Sequence, residues 1–458
     1  MEKKEILELV TACLEERRFA ALRELLTEEN PADLADLLEE LQPESLPFVY
    51  RILPKETAAT VFVEMSPERQ KLLIDSFSDF ELRQVLNELY TDDTADIIEE
   101  MPASVARRIL AAASPAMRRE VNELLKYPED SAGSIMTTEY VSLRRDMTVS
   151  QALDYIRSVA IDKETVYTAY VTENDRRLIG IVTAKRLLLS PLDSLITDIM
   201  EENVIAAETT LDRESVARMF EKYGFIALPV TDKENRLVGI VTFDDAIEVI
   251  SEETEEDFAK LAAITPSDDG RTYLQTGAFR IFTQRIPWLM ILMFSATVTG
   301  MIIASFESAL AVSVVLTGFI PMLMGTGGNS ASQASVTVIR GISLGELAFA
   351  DLPRVIYKEL RVSLLCGVSL SAASFIKMLL IDRLLLGNPD VTVTVSLVVS
   401  LALLATVLCA KMIGGVLPLM IMKLGLDPAV MANALITTLI DALSLLIYFS
   451  VAVALLPI

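Results

Sequence analysis

The sequence predicts a multidomain membrane protein: an all-α helical-repeat N domain, an α/β pair, and a five-span α-helical transmembrane domain. Three observations predict it. The 458 residues are 52% hydrophobic with a mean hydropathy of +0.43, yet the formal net charge is −24. From Ile281 onward stand nine bases and eight acids, so the first 280 residues carry −25 and the apolar remainder +1. Between the two extremes lie near copies of one stretch, RLIGIVT (177–183) and RLVGIVT (236–242). An acidic, water-facing half is joined to a nearly neutral apolar half.

That charge argues against nucleic acid, which needs a basic surface, and favours cations as partners. Histidine is absent, which removes most zinc and copper chemistry. Cys13, Cys366 and Cys409 are far apart and form no paired motif, so they read as reduced thiols without a metal role. Any metal site must be built from oxygen, which suits magnesium, calcium or manganese. MEKKEILELV reads as the start of an amphipathic helix, not a signal peptide.

Residues 1–130 read as helices only. Apolar residues recur at helical spacing in ALRELL, DLADLLEEL and ARRILAAA. NPADLADLLEELQPES (30–45) resembles TDDTADIIEEMPAS (91–104), and EMSPERQKLL (64–73) repeats its end. Helices closed by Pro-containing turns and repeated in this way spell a small helical solenoid, a scaffold that binds on one face.

Residues 131–250 switch to alternating strands and helices in two copies, 131–190 and 195–250. SIMTTEYVSL (134–143) is echoed by DIMEENVIAA (198–207). Each copy reads as strand, helix, strand, turn, strand and closing helix. This order, with I-M early, G-I-V-T late and T-x-x-D after it in the second copy, resembles a tandem pair of CBS domains. The resemblance implies a regulatory module. It also implies an adenine nucleotide, ATP among them, at Phe225, Pro229 and Asp245, with the aspartate on the ribose. The first copy carries Arg186 where that acid would lie, so the pattern is met in one half only.

Residues 251–280 read as an acidic connector, with SEETEEDFAKLAAI as one helix ended by TPSDDG. Residues 281–458 hold the apolar runs, expected as spans at about 286–306, within 309–339, 360–381, 391–422 and 429–456. Each run is long enough for a bilayer that takes about 20 residues. Arg280, Arg285, Arg340, Arg354, Lys358, Arg361 and Lys423 fall on one side and Arg383 on the other. The positive-inside rule then puts the N-terminal domains in the cytosol and the C-terminus outside, in a multi-pass protein of the cell (inner or plasma) membrane. Pro321, Gly325, Gly327 and Gly328 are expected to break the second span, where small and polar residues must face protein or a water-filled path.

Asp441 is the single charge between Pro428 and Ile458. A carboxylate at mid-bilayer costs about 2.5–3.5 kcal/mol on insertion scales unless it is paired or wetted. Three readings stand open: a buried pair with Lys411, a proton relay, or a cation site in a pore. Asn433, Thr437 and Asp441, at i, i+4 and i+8, share one helix face. A homodimer would bring two carboxylates to the axis and match a 2+ ion.

Domain order, GTGGNSASQAS (325–335) and LGLDPAVMANALITTLIDALSLLIYF (424–449) together resemble the MgtE family of magnesium channels over nearly the whole chain. The resemblance implies a homodimer that admits Mg2+ to the cytosol and is closed by cytosolic Mg2+. It implies pore positions at Asp441, Asn433, Thr437, Gly325 and Gly328. It implies regulatory acids at Asp92, Asp96, Glu214, Asp245, Glu248, Glu253, Glu256 and Asp257; one further family acid falls on Gly224. The competing readings are a proton-coupled divalent-cation transporter that titrates Asp441, and a membrane-anchored CBS nucleotide sensor. An enzyme is not expected, because no nucleophile–base set and no phosphate loop is present.

Overall fold

The computed structural model describes residues 3–266, 273–274, 276–307, 314–429 and 434–456. It forms two compact units, one ending at Glu253 and the other beginning at Thr254.

In the first unit the chain opens with ten helices: α1 Lys3–Glu15, α2 Phe19–Thr27, α3 Pro31–Glu39, α4 Leu46–Tyr50, α5 Lys55–Val63, α6 Pro67–Ser76, α7 Asp79–Leu86, α8 Thr91–Glu100, α9 Ala103–Ala112 and α10 Pro115–Leu124. Asn30 caps α3 through the Ala32 N–H, and Ser78 and Glu81 cap α7 reciprocally. The duplicated stretches fold as α3 and α8. Alternate helices pack on one another, α3 on α5, α5 on α7 and α7 on α9. They enclose Leu34, Leu38, Phe62, Leu73 and Ile74, all fully buried.

Two three-stranded sheets follow. The first holds β1 Ser142–Arg144, β2 Thr168–Thr172 and β3 Leu178–Thr183, with β1 parallel and β3 antiparallel to β2. The second repeats this with β4 Ala207–Glu208, β5 Ala227–Thr231 and β6 Leu237–Thr242. Helices α11 Val149–Val159 and α12 Ala184–Leu189 belong to the first copy. Helix α13 Ile196–Ile199 opens the second copy, which also holds α14 Arg213–Tyr223 and the start of α15 Phe243–Leu261.

The repeated motifs interlock. A Cβ at Gly239 would stand 2.6 Å from Met136 Sδ, and one at Gly180 2.8 Å from Met200 Sδ. The I-M segment at the start of each copy therefore lies across the G-I-V-T strand of the other, which explains why both motifs recur. Gly224 ends α14 at φ 67° with its N–H donating to Phe220 O. That left-handed cap favours glycine, which gives a physical reason for the missing acid.

Helix α15 is continuous, although the sequence reading placed a domain boundary at residue 250. FDDAIEVISEETEEDFAKL contains no proline or glycine, so the change of composition brings no break.

The second unit is helical: α16 Ala278–Ser305, α17 Ile320–Ser343, α18 Leu352–Lys377, α19 Val393–Lys423 and α20 Ala434–Leu455. Among the described residues four helices are long and apolar enough to cross a membrane: α16, the stretch Phe349–Leu385 that contains α18, α19, and α20 from Leu435. Helix α17, expected as the second of five spans, does not meet that measure. Nor is it broken where the sequence reading expected. Pro321 sits in its first turn, where no N–H is needed, and the glycines lie inside one uninterrupted helix. Helix α17 packs on α19 and α20, α18 on α19, and α16 on α20. Phe306 stacks on Phe449 at 4.9 Å, and the Tyr448 hydroxyl donates to Leu316 O at 2.9 Å.

Candidate cation path and acidic interface

In the membrane unit, Thr437, Asp441 and Ser444 follow one face of α20, and the small residues of α17 face them. A Cβ at Gly328 would meet Thr437 Cγ2 at 2.9 Å and Asp441 Oδ1 at 3.7 Å. A Cβ at Gly327 would meet Ser444 Oγ at 2.6 Å, Thr406 Cγ2 at 2.8 Å and Ile440 Cγ2 at 3.1 Å. The glycines thus let a helix backbone approach the carboxylate, as small residues do in membrane packing. Gly328, Thr437 and Asp441 come together, whereas Gly325 opens on empty space. Asn433 lies outside the described residues.

Among the described residues, no hydrogen bond or ion pair engages the half-buried Asp441 carboxylate. The pair with Lys411 is not formed. Lys411 is buried on α19 and interacts electrostatically with Glu359 of α18 instead. Glu359 packs over Gly415, one turn along α19 from that lysine.

The acids of the first unit gather where α8 begins. Asp92 is buried, and its Oδ1 has no hydrogen-bond partner. Burial first, then the charges of Asp93, Asp245, Glu164 and Glu139, push its carboxyl well above the usual range. Burial and Asp245 raise Asp93 to about 7. Burial and Asp93 raise Glu164 to about 8. Glu139 organises the group by accepting the Thr137 hydroxyl at 2.7 Å, the Thr138 N–H at 3.1 Å and the Thr91 hydroxyl. The Glu164 N–H donates to Glu139 O at 3.0 Å. Asp96 keeps an exposed side chain beside Asp245 and Glu248.

Asp245 accepts from the Thr242 N–H and hydroxyl. One of its oxygens is therefore committed to capping α15. Phe225 packs on Phe220 and Tyr223, and Pro229 is buried within β5.

The other expected regulatory acids stand apart. Glu214 pairs with Arg218. Glu253 lies 3.1 Å from Arg213, which also holds Glu252 at 2.9 Å. Glu256 and Asp257 lie further along α15. Asp93, Glu139 and Glu164 were missed because only the fold brings residues 139 and 164 to α8. Among the described residues no three acids stand close enough to hold a bare ion. The orphaned Asp92 oxygen and its spread neighbours suit an ion that keeps its water.

Residues 29–130 match the MgtE intracellular N domain, 132–192 and 196–252 the CBS domain, and 320–451 the divalent cation transporter family. The chain is 38% identical over 456 residues to magnesium transporter MgtE of Thermus thermophilus, covering 99% of this chain and 98% of that one. The chain belongs to the MgtE family. The MgtE of Bacillus subtilis is 33% identical over 442 residues, 94% of this chain and 95% of its own. Among solved structures, the cytosolic domain of the Mg2+ channel MgtE in complex with ATP is 39% identical, with a TM-score of 0.50 over 52% of this chain and 98% of that one. The soluble part of a magnesium transporter is 31% identical, with a TM-score of 0.51 over 55% and 99%. The MgtE relationship thus spans both the acidic and the apolar halves.

Proposed function

We propose that this chain is a magnesium-selective channel that admits Mg2+ to the cytosol and is closed by Mg2+ bound at its acidic cytosolic domains. One observation carries the reading: a carboxylate without a partner among the described residues, Asp441, faces the Gly328 backbone in a helix that bears no other charge. An unpaired acid among apolar helices is stable only when it meets water or a cation. A homodimer doubles it and balances a 2+ ion that retains its hydration, which magnesium releases reluctantly. In this reading α17 is the fifth crossing. Its small residues pack on α19 and α20 and never meet lipid alone, so it needs less apolar surface than the other four. The N domain and CBS pair face the cytosol and the C-terminus lies outside.

Closure follows from the same chemistry. The acids around Asp92 repel one another, and hydrated Mg2+ between them removes that repulsion and draws α8 toward α15. Helix α15 leads from there to the membrane unit and is the element that gates the path.

The test is ion flux into liposomes. Wild type should take up Mg2+, Asp441→Ala should not, and calcium, manganese and cobalt should rank below magnesium. Substituting Asp92, Asp96, Asp245 and Asp257 together with asparagine should abolish inhibition by cytosolic-side Mg2+. Equal uptake by wild type and Asp441→Ala would refute the path. Uptake that follows a pH gradient rather than the magnesium gradient would favour proton coupling.

A further inference from the structure

The last turns of α15 belong to the membrane unit, and a charge fastens them there. Lys260 Nζ stands 2.6 Å from Asp427 Oδ2 and 2.6 Å from Glu256 Oε1. The lysine side chain is 21% exposed, so water screens these contacts less than a surface pair. Asp427 is itself anchored: its Oδ1 accepts the Ala429 N–H at 2.8 Å, in the turn that follows Gly425 at φ 73°. A second strut joins the chain beyond α15 to α16, where the Thr265 N–H donates to Gln284 O at 3.1 Å.

Two carboxylates from separate elements flanking one position is an arrangement that elsewhere calls for an added cation. Here the chain supplies its own. Glu256, expected from the family pattern to serve magnesium, is already engaged by this lysine.

We infer that Lys260 is a built-in latch: its ammonium bridges Glu256 of the connector to Asp427 ahead of α20, and holds the connector on the membrane helices with no divalent ion bound. The latch rests on the reading that the connector gates the path. It biases the gate toward closure, so magnesium at the Asp92 cluster supplies only the remainder of the closing free energy.

The experiment uses full-length protein, comparing wild type, Lys260→Met, Asp427→Asn and the exchanged pair Lys260→Glu with Asp427→Lys. In magnesium-free nanodiscs, hydrogen exchange of the amides of residues 255–261 should quicken in both single variants and slow again in the exchanged pair. In liposomes, the Mg2+ concentration that halves flux should rise about threefold to tenfold in the single variants, the range of one ordinary hydrogen bond or partly screened ion pair, and recover in the exchanged pair. Unchanged exchange and unchanged inhibition in both single variants would overturn the latch. So would single-variant effects that the exchanged pair leaves undiminished. Wild-type flux that magnesium does not inhibit would instead sink the gating reading, while the exchange measurement still decides the docking.

Discussion

Gly414 marks the closest approach of two membrane helices, and replacing it with alanine tests whether that approach sets the path. The new Cβ would stand 2.3 Å from the Ala331 carbonyl oxygen, and 3.0 Å from both the carbonyl carbon and Cα of Ala331. Ordinary contact begins at 3.4 Å, so α17 and α19 must part by about 1 Å. The obstacle is backbone and cannot rotate aside as a side chain would. Overpacking of this kind costs roughly 1–3 kcal/mol. In a helical domain of this size that lowers the unfolding midpoint by roughly 3–10 °C. The same displacement carries Gly328 away from Asp441, so magnesium uptake should fall with stability. Gly300 on α16 is the control. No atom lies within 4 Å of a Cβ placed there, and alanine gains up to about 1 kcal/mol of helix propensity. Circular dichroism melts in detergent and liposome uptake measure both variants. A Gly414→Ala protein that melts within a degree of wild type and transports fully would refute the tight contact.

Asp441→Asn, which keeps the shape and removes the charge, should reduce magnesium flux to background while leaving the melting midpoint unchanged or raised; retained flux argues against the carboxylate as ion site. Asp93 and Glu164 titrate at about 7 and about 8 in the fold, against about 4 in the unfolded chain, so the folded protein holds protons that the unfolded chain has released. In chelator, the first unit should therefore lose stability as pH rises from about 4 through about 8 and then level off. Glu164→Gln should flatten the slope and added magnesium should oppose it, as read by urea midpoints at pH 5, 7 and 8.5. Gly239→Ala should lower the urea midpoint by the equivalent of roughly 1–3 kcal/mol. The Met136 tip can yield, but Thr137 O, 2.8 Å from the new Cβ and bonded to the Ile240 N–H, cannot.

The N domain helices were legible because their apolar residues keep helical spacing, and the paired sheets because RLIGIVT and RLVGIVT are nearly the same words. Asp441 was legible because its charge is isolated. The glycines of α17 misled. Glycine reads as a breaker in an isolated stretch, yet here Gly327 and Gly328 serve the side chains of α19 and α20 that press against them. The acidic connector from residue 251 was expected as a helix of its own, but it continues the last helix of the second copy: acidity rises there, and no residue ends the helix. Of the acidic group, Asp92, Asp96 and Asp245 stood in recognisable patterns. Glu139 and Glu164 join them through contacts between residues distant in sequence, which no local pattern encodes. The partner of Lys260 lies 167 residues away.

The crossing of Met136 over Gly239 and of Met200 over Gly180 makes the doubled CBS module indivisible. Each half wears a strap cut from the other's cloth, so excising either one would strip its neighbour of cover as well as deleting itself. What began as two matching words in the sequence has become one object whose halves share their cover.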